Sequence, residues 1–186
     1  MKKVLLISSI LLALAFAAAL GADVKPAKAD VSLTSGDLIK TATNSAVYYY
    51  GANGKRYVFP NEKTYKTWYA NFLSVKTITA SEMAEIQIGG NVTYRPGVKM
   101  IKIQSDPKVY AISKGGTLRW IQTEALATAL YGTDWNKKID DLSDAFFINY
   151  KVGTTITAST DYSATTETTA ATSINVDMGL TSSSGS

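Results

Sequence analysis

Two short stretches carry the residue types best suited to holding a ligand. Arg56-Tyr57-Val58 follows Gly54 and Arg119-Trp120-Ile121 follows Gly116, so a guanidinium stands beside an aromatic ring twice. A ring covers apolar faces and a guanidinium clamps a carboxylate or phosphate, which together suit a carbohydrate or anionic-polymer site. Tyr49 alternates with Tyr48 along its strand and is replaced by Ala111 further on, so it reads as a weaker surface candidate peculiar to one stretch. The binding candidates are therefore Arg56, Tyr57, Arg119, Trp120 and Tyr49. The same residues admit a structural reading, with the rings in a core and Arg56 or Arg119 paired with Glu62 or Glu124. Repetition favours that reading, because repeats keep folding residues first.

Catalysis has little to work with. The 186 residues include no histidine and no cysteine, which removes the commonest general base, Ser-His-Asp arrangements, thiol nucleophiles, thiolate zinc sites and disulfides. What remains is a Ser/Lys dyad or a carboxylate pair. Glu82 and Glu85 lie three apart on a short expected helix, on one solvated face. Asp140, Asp141 and Asp144 precede or open a helix, where acidic side chains meet the positive dipole end. Neither spacing returns in the other stretch, and a glycosidase needs two carboxylates across a cleft. The aspartates also lack the alternating ligands and turn glycine of a calcium loop. No catalytic residue, metal site or cofactor is expected. Asn91-Val92-Thr93 fits an N-glycosylation acceptor, a weak three-residue signal.

The elements that would position these residues come in duplicate. Between residues 30 and 153 the chain repeats at a period near 62. Val47-Tyr48 returns as Val109-Tyr110, Arg56-Tyr57-Val58 as Arg119-Trp120-Ile121, Glu62 as Glu124 and Tyr69 as Tyr131. Phe72 returns as Trp135, Val75 and Ile78 as Ile139 and Leu142, and Gly90 as Gly153. Each stretch reads as three strands (36–41, 46–50 and 55–59; 98–103, 108–112 and 117–121) with glycine turns between the second and third. Asn61 and Thr123 are N-cap residues for a helix running to Phe72 or Tyr131, and a second short helix follows at 81–86 or 143–148. Tyr65, Trp68, Tyr69 and Phe72 form a core stripe on the first helix. The expected architecture is α+β: two tandem β-β-β-α-α repeat units, 30–97 and 98–153, forming one compact region. Residues 153–156 open a third copy or pair with the sheet as a closing strand.

The two ends differ in kind. Residues 1–29 read as a signal peptide, with Lys2 and Lys3 before an apolar run over 4–20 and Ala27-Lys28-Ala29 ahead of cleavage. The rival reading is an uncleaved anchor, for which the run is at the lower limit. This leader carries +3 of the net +4 charge, and the remainder keeps no basic stripe, so nucleic acid is not an expected partner. After cleavage no membrane span remains. The last 33 residues, 154–186, hold 10 Thr and 7 Ser and read as a disordered linker or tail, with 174–180 as a possible strand.

The Tyr-rich segment 48–50, the Gly54-Lys55-Arg56-Tyr57 turn, Pro60-Asn61-Glu62, Asp134-Trp135 and the closing Gly90 or Gly153 resemble tandem modules of about 60 residues in exported bacterial cell-surface and surface-layer-like proteins. The resemblance covers roughly 36–156 and implies location more firmly than activity. It brings no catalytic residues, and Gln122-Thr123-Glu124 departs from the Pro-Asn-Glu start. The expectation is a secreted, extracellular, non-enzymatic cell-surface module. Its partner would be a cell-envelope polymer or glycan, or further copies of itself. A carbohydrate-binding module is the alternative and a glycan hydrolase a more distant one.

Overall fold

The computed structural model describes residues 32–182, so the leader at 1–29 lies outside the described residues. Strands β1 (Leu38–Thr41), β2 (Tyr48–Tyr50) and β3 (Arg56–Val58) form an antiparallel meander. Gly54, at φ 73°, takes the left-handed conformation that closes the β2–β3 turn. Helix α1 (Glu62–Trp68) starts at Asn61, whose Oδ1 accepts from the Thr64 N–H at 2.8 Å. It leads to β4 (Val75–Ile78), parallel to β1. Helix α2 (Ala80–Glu85) then leads to β5 (Ile88–Asn91), parallel to β3. The strand order is β4-β1-β2-β3-β5. A parallel neighbour requires a crossover, and the two short helices provide one each.

The helices cover opposite faces because side chains alternate along a strand. Leu38, Tyr49, Tyr57 and Phe59 pack with Tyr65 of α1, whereas Ile39 and Ile78 pack with Met83 of α2. Glu82, expected on a solvated face, is instead 8% exposed and closes a capping box with Thr79.

A second sheet has the same order and polarity. Strands β6 (Met100–Ile103), β7 (Asp106–Ser113) and β8 (Thr117–Trp120) form the meander, and α3 (Glu124–Tyr131) leads to β9 (Ile139–Leu142). A 3-10 helix, Asp144–Asn149, leads to β10 (Lys151–Val152), giving β10-β8-β7-β6-β9. Ile39 opposes Tyr48 in the first sheet and Ile101 opposes Tyr110 in the second, positions about 62 residues apart.

The molecule is thus α+β with two five-stranded mixed sheets. Each half departs from the expected β-β-β-α-α plan by two added edge strands. Val75 and Ile139, whose recurrence was visible in the sequence, are the residues that pair with Leu38 and Met100. The edge strands hydrogen-bond to strands distant in the chain, so no local turn signal announces them. They also move Asp140 and Asp141 from a helix start into β9. Helix α1 ends at Trp68 because Tyr69 is already extended (φ −133°, ψ 134°). Phe72 leaves the core stripe and is 42% exposed.

From 154 to 182 the Thr/Ser-rich tail is folded, contrary to its composition. Ile156 forms a parallel bridge to Ile121, and helices α4 (Ala164–Ala170) and α5 (Ile174–Met178) follow; 174–178 is helix, not strand. Ile156, Tyr162, Ala171 and Ile174 are 0–5% exposed. Four buried apolar anchors suffice where hydroxyl residues cap the helices: Ser163 Oγ and Ser173 Oγ accept from the N–H groups of Thr166 and Val176. Helix α5 touches both hairpin turns. Asn175 Oδ1 accepts from Ala52 N–H at 3.0 Å, and Asp177 Oδ1 from Gly115 N–H at 2.9 Å. Among the described residues no helix is long and apolar enough to cross a membrane.

Candidate functional site

The five residues singled out in the sequence do not form one site. Tyr49 and Tyr57 oppose each other across β2–β3 and are 1% and 4% exposed, so the outward placement expected for Tyr49 is reversed. Burial pushes the Tyr49 hydroxyl above its ordinary range. Asn53 Nδ2 donates to Tyr57 Oη at 2.8 Å. Arg56, one residue along, lies on the other face, with its guanidinium 5.3 Å from the Tyr48 ring centroid. Its Nε and Nη1 are buried without a hydrogen-bond partner.

Arg119 is a structural clamp. Its Nε donates to the Thr154 carbonyl at 3.1 Å and its Nη1 to that of Asp161 at 2.6 Å, holding the start of the tail. Trp120 is half-buried, with Lys108 Nζ 5.3 Å from its ring centroid.

Strand register explains the scatter. Tyr57 opposes Tyr49 while Arg119 opposes Ala111; Val58 opposes Tyr48 while Trp120 opposes Tyr110. Tyr57 therefore corresponds to Arg119, not to Trp120. Matching the two Arg-aromatic triplets residue for residue is one step out, and one step sends a side chain to the opposite face.

A different set of residues converges. In the first half a cleft of about 660 Å³ opens where the 44–47 segment, the end of β3 and the start of α1 meet. Phe59, Tyr65 and Phe72 line it with Asn44, Asn61, Asn91 and Glu62, and Phe146 comes in from the second half. Its aromatic wall is fixed from behind. Tyr65 stacks on Phe72 at 4.2 Å between centroids and 15° between planes, and its hydroxyl donates to the Asn71 carbonyl at 2.7 Å. Lys66 donates to the Ala70 carbonyl at 2.8 Å and lies 5.0 Å from the Phe72 ring centroid. Across the seam, Asn91 Nδ2 donates to Asn149 Oδ1 at 2.8 Å, tying the Phe146-bearing turn to β5.

The second half has a cleft in the corresponding place, about 240 Å³, lined by Val109, Trp120, Ile121, Thr123, Glu124, Ala127 and Trp135. These stand where Val47, Val58, Phe59, Asn61, Glu62, Tyr65 and Phe72 stand in the first. Only Trp120 of the five sequence candidates reaches either cleft. Each lining holds a single carboxylate, Glu62 or Glu124. The aspartates at the seam are engaged otherwise. Asp140 accepts from Tyr94 Oη at 3.3 Å and lies 3.8 Å from Lys99 Nζ and 3.9 Å from Lys63 Nζ, while burial and that carboxylate push the Tyr94 hydroxyl up. Among the described residues no group of three or more acidic side chains could hold a metal ion.

The recurrence of Asn61 as Thr123, Glu62 as Glu124 and Phe72 as Trp135 was the available signal for the clefts. The same recurrence marks helix caps and core equally well, because the exposure of Phe72 depends on where α1 stops. Phe146 had no signal at all, since it reaches the first cleft only through tertiary packing. Comparison with family models, with curated proteins and with solved structures returns no match for this chain.

Proposed function

We propose that this chain is an exported, non-enzymatic module of the cell surface, built from two tandem units of one design, that attaches to or helps build the cell envelope. The observation that carries this reading is the recurrence of one cleft, at one place in the fold, in both halves. Two equivalent sites on a single body suit attachment to a repeating polymer, because the second contact is made at high effective concentration. The absence of histidine and cysteine and the single carboxylate in each cleft support a binding rather than a catalytic role. The tail supports it as well, because α5 ties the hairpins of both halves together. The resemblance to exported surface modules and the leader-like composition of 1–29 support this reading.

The test is co-sedimentation of the purified chain with cell envelopes isolated from the producing organism, alongside the variant Phe72→Ala/Trp135→Ala. Retention of the wild type and its loss in a variant with unchanged circular dichroism is the expected result. An unretained wild type would overturn the reading.

A second reading, a carbohydrate-binding module for free or foreign glycans, is favoured by the rings and amides of the first cleft.

A further inference from the structure

We infer that the first cleft is a saccharide site for an uncharged pyranose chain, completed by Phe146 from the second half, and that the cleft at Trp120 and Trp135 is a smaller site of the same chemistry; this rests on the attachment reading above and names its ligand. At about 660 Å³ the first cleft falls within the range of small-ligand pockets, roughly 300–1,000 Å³, whereas the second, at about 240 Å³, is smaller than that. A pyranose presents apolar C–H faces and a rim of hydroxyls that each donate and accept. Its recognition therefore calls for rigid aromatic surface together with side chains that can do both.

The first cleft supplies that combination. Phe72 is exposed, yet it is held by its stack on Tyr65, so its contact area is ordered before any ligand arrives. The amides are ordered too. Asn44 Oδ1 accepts from Ala46 N–H at 2.9 Å and Asn61 Oδ1 from Thr64 N–H at 2.8 Å. Their Nδ2 groups carry no hydrogen-bond partner among the described residues, which leaves two anchored donors for sugar hydroxyls.

Charge selects the class of glycan. None of the residues lining the first cleft is cationic, and the one charged residue, Glu62, is an acid. A uronate or phosphate-bearing polymer would bring like charge against Glu62, and the cation at the cleft's wall, Lys66, is already held by the Ala70 carbonyl at 2.8 Å. The second cleft is lined by one cation, Lys108, whose Nζ lies 3.6 Å from Asp106, and by one acid, Glu124, so its lining carries no net charge to favour an anion. Equivalent clefts spaced along one body fit a polymer whose units repeat better than a free monosaccharide.

Binding of two neutral hexasaccharides, a β-1,4-linked N-acetylglucosamine oligomer and a β-1,4-glucan oligomer, is measured by calorimetry on the full chain, with polygalacturonate as the anionic comparator. Binding to at least one neutral oligomer is expected, together with displacement of the protein from envelopes by that oligomer and no binding to polygalacturonate. Phe146→Ala should weaken it about tenfold, the scale of one lost aromatic contact. Asn44→Ala, at an exposed turn, provides a second variant should Phe146→Ala fail to fold, and should weaken it several-fold. Silence toward both neutral oligomers, or tighter binding to polygalacturonate, overturns the inference. If envelope retention persists in either case, the attachment reading stands without it. Neutral-oligomer binding by a chain that envelopes do not retain removes the attachment reading and supports the saccharide site.

Discussion

The two halves share strand order and polarity, yet fill the equivalent core in different ways. In the first half the strands and helix supply their own bulk: Tyr49 and Tyr57 pack against Tyr65. In the second half Ala111, Arg119 and Ala127 stand at those positions. The space left by two alanines is taken by Tyr162 from the tail, which is 5% exposed and donates to the Ile112 carbonyl at 3.0 Å while its hydroxyl lies 3.0 Å from that of Tyr131. Arg119, unable to fill a core as Tyr57 does, holds the incoming segment by two of its backbone carbonyls. In both halves the face is closed by buried side chains. Those side chains are free to come from elsewhere in the chain. The second half is consequently incomplete without the tail, while the first takes from the tail chiefly Ile174, with Met178 and Leu180 packed beside it.

The largest effect that could break this comparison is at Ile174, which is fully buried in the first half's core. Ile174→Ala should cost about 2–5 kcal/mol, as removal of a core aliphatic does, read from the urea midpoint. A loss below about 0.5 kcal/mol would show that the tail only rests on the first half.

A glycine in each half sharpens the contrast at lower cost. A Cβ on Gly89 would run into the buried Tyr57 ring, whereas one on Gly153 would meet only the methyl end of the half-exposed Thr117. Gly89→Ala should destabilise by about 1–3 kcal/mol and Gly153→Ala by clearly less, measured by thermal unfolding. Equal effects would mean that the first half's aromatic core is no stiffer than the second half's.

The smallest expected effect concerns Asp177, on the helix that holds both hairpins. Burial pushes its carboxyl above the ordinary value of 3.8, with Glu167 acting the same way and the Gly115 N–H and Lys114 acting against it. A raised folded-state value means that the native protein holds this proton more tightly than the unfolded chain. The associated stability is present below the ordinary carboxylate range and is lost as pH rises through the folded value. Urea midpoints followed from about pH 4 to about pH 7 should therefore carry a downward contribution from this group, and Asp177→Asn should flatten it. An unchanged slope in the variant would assign the pH dependence to other groups.

Much of this was legible in the chain. Residues about 62 apart match because they occupy the same places in two like sheets, and Asn61 and Thr123 could be recognised as caps because a cap is a local arrangement, settled within four residues. The central meander followed from glycine turns and short apolar runs. The edge strands did not, since their pairing with β1, β3, β6 and β8 is made across the sheet with residues distant in the chain. The tail misled because composition averages over 33 residues, while order there depends on a few apolar side chains finding cavities prepared elsewhere.

The site was legible only in fragments. Sequence alone determined the absence of histidine and cysteine chemistry and the helix starts at Asn61 and Thr123, because these depend on residue identity and near neighbours. Only the tertiary structure decided that Tyr57 and Arg119 are equivalents, that Phe72 stands exposed and that Phe146 completes a cleft more than fifty residues away in the other half. Those outcomes depend on register and on packing between distant segments, where a shift of one residue reverses a face.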